Sequence, residues 1–239
     1  VQAIETVLFD FGGTLDSDGV AWKERFHALY RSEGLDLSVE AFARGFYAAD
    51  DALVGALAPT TGLSETVEML AVNLEAELAR RGAGNGGSSI DNVRCRRVAS
   101  RFLSAMSAAF TRNRPVLEAL GERYRLGVVS NFYGNLEAAC ESSGLAPLFG
   151  VMADSQRIGV EKPDPAIFLA ALSALDARPE TTVMVGDSLR RDGEGARRSG
   201  LGFIWIAPED IQAAERAGAP DQPVLAAVTE LPDLLDILT

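Results

Sequence analysis

The chain has 239 residues, 47% hydrophobic and 23% charged, which excludes disorder and low complexity and supplies a full core without disulfide or metal staples. With 34 acidic against 22 basic residues its net charge is −12, which repels polyanions and argues against nucleic-acid binding. No run of about 18 apolar residues exists, so no membrane span is expected. Val1 to Phe9 lacks the basic and apolar regions of a leader, and a cytoplasmic location is expected. Cys95 and Cys140 have no CxxC spacing and are expected as inert, partly buried thiols.

The first element is a short β-rich run, Ile4 to Phe9, that ends at Asp10 and meets Gly12-Gly13 at once. This reads as a buried strand closing in a glycine turn. From Val20 to about Arg112 the period is helical. Trp22, Phe26, Leu29 and Tyr30 lead, then Phe42, Phe46, Leu53 and Leu57, then Val67, Leu70, Leu74 and Leu78. Ser38 and Ser64 stand as N-cap candidates. Gly82 to Ser89 reads as a flexible linker, and a long helix is expected from Ile90 to about Phe110.

After Pro115 helices and strands alternate: helix 116–124, strand 126–130, helix 136–143, strand 151–154, helix 165–175, strand 182–186, helix 193–199 and strand 203–207. A strand at 224–228 and a helix at 231–238 close the chain. Such alternation predicts an α/β fold, a doubly wound parallel sheet with helices on both faces. The helical block between the first two strands is too long for one crossover and reads as an insertion. The expected division is a core of residues 1–16 and 113–239 with a helical domain at 17–112.

Ligands of open parallel sheets sit at the carboxyl ends of the strands. There the sequence puts Asp10, Ser130-Asn131 and Asp187, with Asp192 five residues further on. Lys162 lies in a loop, and only it and Lys23 among the 22 basic residues are lysine. A compact ammonium suits a point contact to a phosphate oxygen. Clustered carboxylates need a compensating charge, and Mg²⁺ takes few carboxylates plus phosphate oxygens and water. Asp10 could then attack phosphorus.

These residues, taken in order, resemble the four motifs of the haloacid dehalogenase-like (HAD) superfamily. Asp10-Phe-Gly-Gly-Thr-Leu15 is similar to the first motif and Val128-Val-Ser-Asn131 to the second. Lys162-Pro163 is similar to the third, and Gly186-Asp187-Ser-Leu-Arg-Arg-Asp192 to the fourth. The helical insertion resembles the C1 cap, so the likeness covers the whole chain, with a Rossmann-like core. The resemblance implies that Asp10 is the nucleophile that becomes an aspartyl-phosphate. It implies that Gly13 and Thr14 orient the phosphate site, that Ser130 and Asn131 hold the phosphoryl group, and that Lys162 offsets charge. It implies that Asp10, the Gly12 carbonyl, Asp187 and Asp192 surround Mg²⁺. The expected partner is a small phosphorylated substrate, and the expected state a monomer or homodimer.

The departure is Gly12, where most phosphatases of this family carry an aspartate that protonates the leaving group. General acid–base catalysis contributes about 10²–10⁴-fold. One reading is therefore a phosphatase or phosphotransferase for activated substrates, or one with a substitute acid–base among Asp16, Asp18, Asp50, Asp51 and Glu68. A second is other chemistry of the family, phosphonatase or dehalogenase type. A third is a phosphate- or metabolite-binding protein with impaired turnover. His27 is expected to be structural, Trp22, Phe26 and Tyr30 to be core, and Arg190-Arg191 to lie on a helix surface or to touch an anionic substrate.

Overall fold

The computed structural model describes residues 3–82, 90–218 and 223–238. The linker expected at 82–89 falls, apart from Gly82, outside the described residues. Six strands form one parallel sheet: β1 (Thr6–Phe9), β2 (Arg125–Ser130), β3 (Val151–Asp154), β4 (Thr182–Gly186), β5 (Gly202–Ile206) and β6 (Ala226–Val228), in the order β3-β2-β1-β4-β5-β6. The order reverses on either side of β1, which opens a crevice at its carboxyl end.

Alternation along each strand separates two cores. Val7, Phe9, Val128, Val183, Val185 and Ile204 face one side, whereas Leu8, Val129, Met184, Phe203 and Trp205 face the other. Successive side chains on a strand point to opposite faces, and helices cover both, so the strands read as continuous apolar runs. Helices α7 (Pro165–Ala174) and α8 (Glu194–Ser199) pack Ile167, Phe168, Ala171 and Ala196 onto the second face.

Four helices stand between β1 and β2: α1 (Trp22–Ser32), α2 (Val39–Asp51), α3 (Leu63–Arg80) and α4 (Asn92–Gly121). Their apolar stripes meet in a cluster where Phe26 stacks on Phe102 at 4.3 Å and Trp22 meets Phe102 edge-on at 5.4 Å. The cluster is continuous with the first face of the sheet. The remaining helices are α5 (Leu136–Ser142), the single-turn α6 (Ser155–Ile158), α9 (Glu209–Gly218) and α10 (Leu234–Ile237). No helix among the described residues is long and apolar enough to cross a membrane. Cys95 and Cys140 are both free and buried.

Several expected boundaries move. The helices expected at 90–110 and 116–124 are one element, α4, that runs through Pro115. Met106, Phe110, Asn113, Val116, Leu117 and Leu120 are all buried at helical spacing across that proline, so burial on both sides outweighs the roughly 3 kcal/mol a helix-interior proline costs. Ser38 caps α2, its Oγ accepting from Ala41 N at 3.2 Å, but α3 starts one residue before Ser64 with Gly62 as its cap. The last strand is three residues long, and the terminal helix is a 3₁₀ turn at Leu231–Asp233 followed by α10. Helix α9 went unexpected, because its sequence carries only Ile211 as a large apolar residue.

Asn113 ties α4 to the turn after β1. It is fully buried and its Nδ2 donates to the Leu15 carbonyl at 3.1 Å. Asn113→Ala strands that carbonyl in the interior, a loss of about 1–3 kcal/mol. Thermal unfolding should show a midpoint several degrees lower, at roughly 2–4 °C per kcal/mol for a chain of this size. An unchanged midpoint would contradict the anchoring role.

Candidate active site

Strand register assembles the site. Phe9 pairs with Val128 on one side and with Val185 on the other. Asp10, Ser130 and Asp187 therefore leave the sheet together within one to two residues of those pairs. Asp10 N–H donates to the Val185 carbonyl at 2.9 Å, which fixes its backbone. Its Oδ1 accepts three donors: Phe11 N–H at 2.7 Å, Ser130 Oγ at 2.8 Å and Lys162 Nζ at 2.7 Å. Oδ2 accepts none from the described residues, so one oxygen is anchored and the other is available.

Lys162 comes from the β3–α7 connection and is only 3% exposed. Asn131 clamps its backbone from both sides, with Lys162 N–H donating to Oδ1 at 2.7 Å and Nδ2 donating to the Lys162 carbonyl at 3.2 Å. The ammonium then bridges Asp10 and Asp192 Oδ1, each at 2.7 Å. Asp192 Oδ2 accepts Ser188 N–H at 3.0 Å. Burial alone would lower the Lys162 pKa, but Asp10 and Asp192 outweigh it and hold the ammonium charged.

One carboxylate oxygen from each of Asp10, Asp187 and Asp192 lies within 4.8 Å of the others. Asp187 has no ion pair among the described residues, and Thr14 Oγ1 reaches its Oδ1 only at 3.5 Å. Burial, reinforced by the charges of Asp10 and Asp192, pushes the Asp187 carboxyl well above its ordinary value. Burial also raises Asp192, against the pull of Lys162. The Lys162 ammonium, with the Arg191 guanidinium nearby but not ion-paired to them, faces three carboxylates. The uncompensated charge and the all-oxygen donors suit a hard divalent cation.

The turn after Asp10 shows why two glycines stand there. Gly13 has φ +94°, and a Cβ on it would lie 2.7 Å from the Asp187 carboxyl carbon. Its N–H is committed to Asp16 Oδ1 at 2.6 Å. Gly13 therefore contributes close backbone approach beside Asp187, with its N–H turned to Asp16. Thr14 is likewise turned to Asp187.

At Gly12 a Cβ would lie 3.0 Å from Trp22 Nε1. That indole is pinned by its N–H to Asp16 Oδ2 at 2.7 Å, and Arg25 pairs with the same oxygen at 2.6 Å. A side chain at position 12 would press its first carbon against the tryptophan ring, which would have to give by a few tenths of an ångström. Trp22 is thus core and cavity wall at once.

A cavity of about 210 Å³ opens over these groups. Asp10, Gly12, Ser130, Asn131 and Lys162 line it from the strand ends; Trp22, Lys23, Phe46, Tyr47 and Asp50 line it from α1 and α2. Arg191 also lines it, so of the two arginines it is the one turned to the site, without an ion pair among the described residues. Of the proposed substitutes for the missing carboxyl, Asp16 is consumed by Gly13, Trp22 and Arg25, and Asp18 pairs with Arg112 at 2.6 Å. Glu68 lines a separate groove between α3 and α4. Asp51 is exposed and does not line the cavity. Asp50 does line it. His27 is structural, its Nε2 2.8 Å from the Leu37 carbonyl and its ring 4.8 Å from that of Phe42. Tyr133, which donates to Asp50 Oδ1 at 2.5 Å, escaped sequence reasoning; the signal was its place two residues after Asn131.

A family model described as haloacid dehalogenase-like hydrolase matches residues 4–200. The chain is 36% identical over 115 residues to the bovine (Bos taurus) haloacid dehalogenase-like hydrolase domain-containing protein 3, covering 48% of this chain and 46% of that protein. It is 40% identical over 76 residues to a phosphoserine phosphatase of Thermus thermophilus, covering 30% of each. The match thus spans less than half the length of these relatives. The fold is shared with the putative HAD-hydrolase YfnB from Bacillus subtilis, crystallised bound to magnesium, with a TM-score of 0.58 at 19% identity and 99% of each chain covered.

Gly12→Asp, the change that introduces the aspartate the resemblance leads one to expect, presses a Cβ against a pinned indole. It is expected to destabilise the fold by about 1–3 kcal/mol, the usual cost of overpacking. Chemical denaturation of the variant checks this, and a stability equal to or above the parent would refute the packing argument.

Proposed function

This chain belongs to the haloacid dehalogenase-like hydrolase family, and within it we propose that it is a magnesium-dependent phosphatase or phosphotransferase acting through an aspartyl-phosphate at Asp10 on a small phosphorylated metabolite. The observation that carries this reading is the asymmetry of Asp10. Three donors hold Oδ1, and the other oxygen is left to a cavity that Lys162, Ser130, Asn131 and Arg191 also line. A nucleophile needs a fixed carbon and a free oxygen, and the donors on Oδ1 provide both.

Each neighbour has a part. Lys162 keeps the anionic nucleophile and an anionic phosphate compatible in one small space. The Asn131 backbone amide, at the end of β2, receives a phosphoryl oxygen, and Ser130, whose hydroxyl donates to Asp10 Oδ1, would have to turn from it to do the same. Asp192 holds the Lys162 ammonium in place, and Thr14 and Gly13 set Asp187. The donor set fits Mg²⁺, which Asp10, Asp187, Asp192 and the Gly12 carbonyl would hold. When bound, the ion neutralises phosphate charge as a Lewis acid. The phosphatase relative and the magnesium-bound structural neighbour support the same reading. Residues 17–112 serve as a cap over the core of 1–16 and 113–239, and the cavity between strand ends and α1–α2 limits the substrate to a small molecule.

The alternatives fit less well. A phosphonatase needs a neutral lysine amine to attack a carbonyl. Lys23 does line the cavity, but it pairs with Glu24 at 3.0 Å, and despite partial burial its pKa is raised. A binding protein without turnover gains nothing from three buried carboxylates around one lysine.

The test is phosphate release from acetyl phosphate and an aryl phosphate in the presence of Mg²⁺. Asp10→Asn is expected to lower turnover by at least about 10³-fold, and a chelator should suppress the wild-type rate. Retention of a tenth or more of the activity in Asp10→Asn would overturn the assignment.

A further inference from the structure

We propose that Asp50, oriented by Tyr133, is the proton donor and acceptor of this site, so that alkyl phosphate monoesters are turned over despite the glycine at position 12. The inference rests on the phosphoryl-transfer reading of Asp10.

The position is set by the end of α2. Phe46, Tyr47 and Asp50 share one face of its last turns, and all three line the cavity that holds Asp10. At about 210 Å³ that cavity lies below the range of ordinary ligand pockets, so a carboxyl on its α2 wall shares one small space with the nucleophile. Tyr133 reaches Asp50 from the loop after β2, its hydroxyl donating to Oδ1 at 2.5 Å. That loop is itself fixed by Asp154 at the end of β3, which accepts Gly134 N–H at 2.9 Å and Leu136 N–H at 3.0 Å. One Asp50 oxygen is therefore held, and the other receives no hydrogen bond from the described residues.

Among the other groups of the wall, Glu24 is a second carboxyl, but it is half exposed to solvent and paired with Lys23 at 3.0 Å, whereas Asp50 is held by Tyr133. Arg191 is permanently charged and Lys23 is a protonated partner of Glu24. Tyr133 is pushed well above an ordinary phenol by burial and by Asp50. Asp50 itself is raised, chiefly by burial, with Asp51 and Glu161 adding to the rise and Tyr133 and Arg191 opposing it. A phosphate dianion entering beside it raises it further. A carboxyl whose burial favours the protonated form, held at one oxygen and open at the other, suits a general acid.

The step balances. As an Asp10 oxygen forms its bond to phosphorus, the bond from phosphorus to the bridging oxygen breaks. That oxygen takes the Asp50 proton, and an alcohol leaves. Asp50, now a carboxylate, removes a proton from the water that next attacks phosphorus. The Asp10–phosphorus bond breaks, inorganic phosphate departs, and both carboxyl groups return to their starting states.

The experiment compares kcat/KM for p-nitrophenyl phosphate, whose leaving group needs no proton, with that for glycerol phosphate, whose leaving group does. Asp50→Asn is expected to lower the glycerol phosphate value by about 10²–10⁴-fold and the aryl value by less than about tenfold. Tyr133→Phe should give the same selectivity at smaller size, expressed in kcat rather than KM. Asp50→Glu, which restores a carboxyl at altered reach, should recover part of the alkyl activity. An equal fall for both esters in Asp50→Asn and in Tyr133→Phe would overturn the proposal, as would an unchanged alkyl rate. If Asp50→Asn fails to fold, the selectivity in Tyr133→Phe decides. Failure of the wild-type protein to hydrolyse either ester would instead overturn the phosphoryl-transfer reading, and this assignment with it.

Discussion

The Lys162 ammonium lies 2.7 Å from Asp10 and 2.7 Å from Asp192, and most of the site is arranged around that contact. A lysine this buried would ordinarily lose its proton; it keeps it because two carboxylates surround it. The carboxylates in turn are tolerable in the interior because the lysine is there. Asn131 holds the lysine backbone, Ser188 holds the far oxygen of Asp192, and Ser130 completes the donors on Asp10. The surplus negative charge falls on Asp187. The result is a preorganised anion with one free oxygen beside an excess of acid, the electrostatic setting for phosphate and a divalent ion.

The helical insertion supplies the other half. Its core runs into the first face of the sheet without a break, and α4 passes from one to the other as a single helix. The same insertion delivers Trp22 into the volume beside Gly12 and Asp50 onto the facing wall. Asp16 joins the turn after β1, through Gly13 N–H, to the indole of Trp22 and so docks α1 beside Gly12.

Much of this was legible in the sequence because short-range chemistry dictated it. The apolar runs ending in Asp10, Ser130 and Gly186-Asp187 identify parallel strands by period and composition, and strand ends in such sheets converge without further information. Lys162 stood out through lysine scarcity. What the sequence did not reveal depends on tertiary contacts. Pro115 reads locally as a helix boundary, yet burial on both sides carries α4 through it. That the Gly13 N–H is turned to Asp16 is visible only in the folded turn. Asp50 could be named as one carboxyl among several, but only the fold separates it from Asp16, Asp18 and Glu68. Tyr133 follows Asn131 by two residues, but its partner Asp50 lies 83 residues away, and the packing of the Trp22 indole beside Gly12 appears only once α1 has docked on the turn.

The central claim is that Asp10 carries the phosphoryl group. The most direct measurement is acid quenching of the protein within seconds of mixing with acetyl phosphate and Mg²⁺, followed by proteolysis and mass spectrometry. The account predicts an acid-stable, base-labile phosphoryl group on the peptide that contains Asp10. Steady turnover with an unmodified Asp10, or a phosphoryl group on Ser130 in its place, would contradict it.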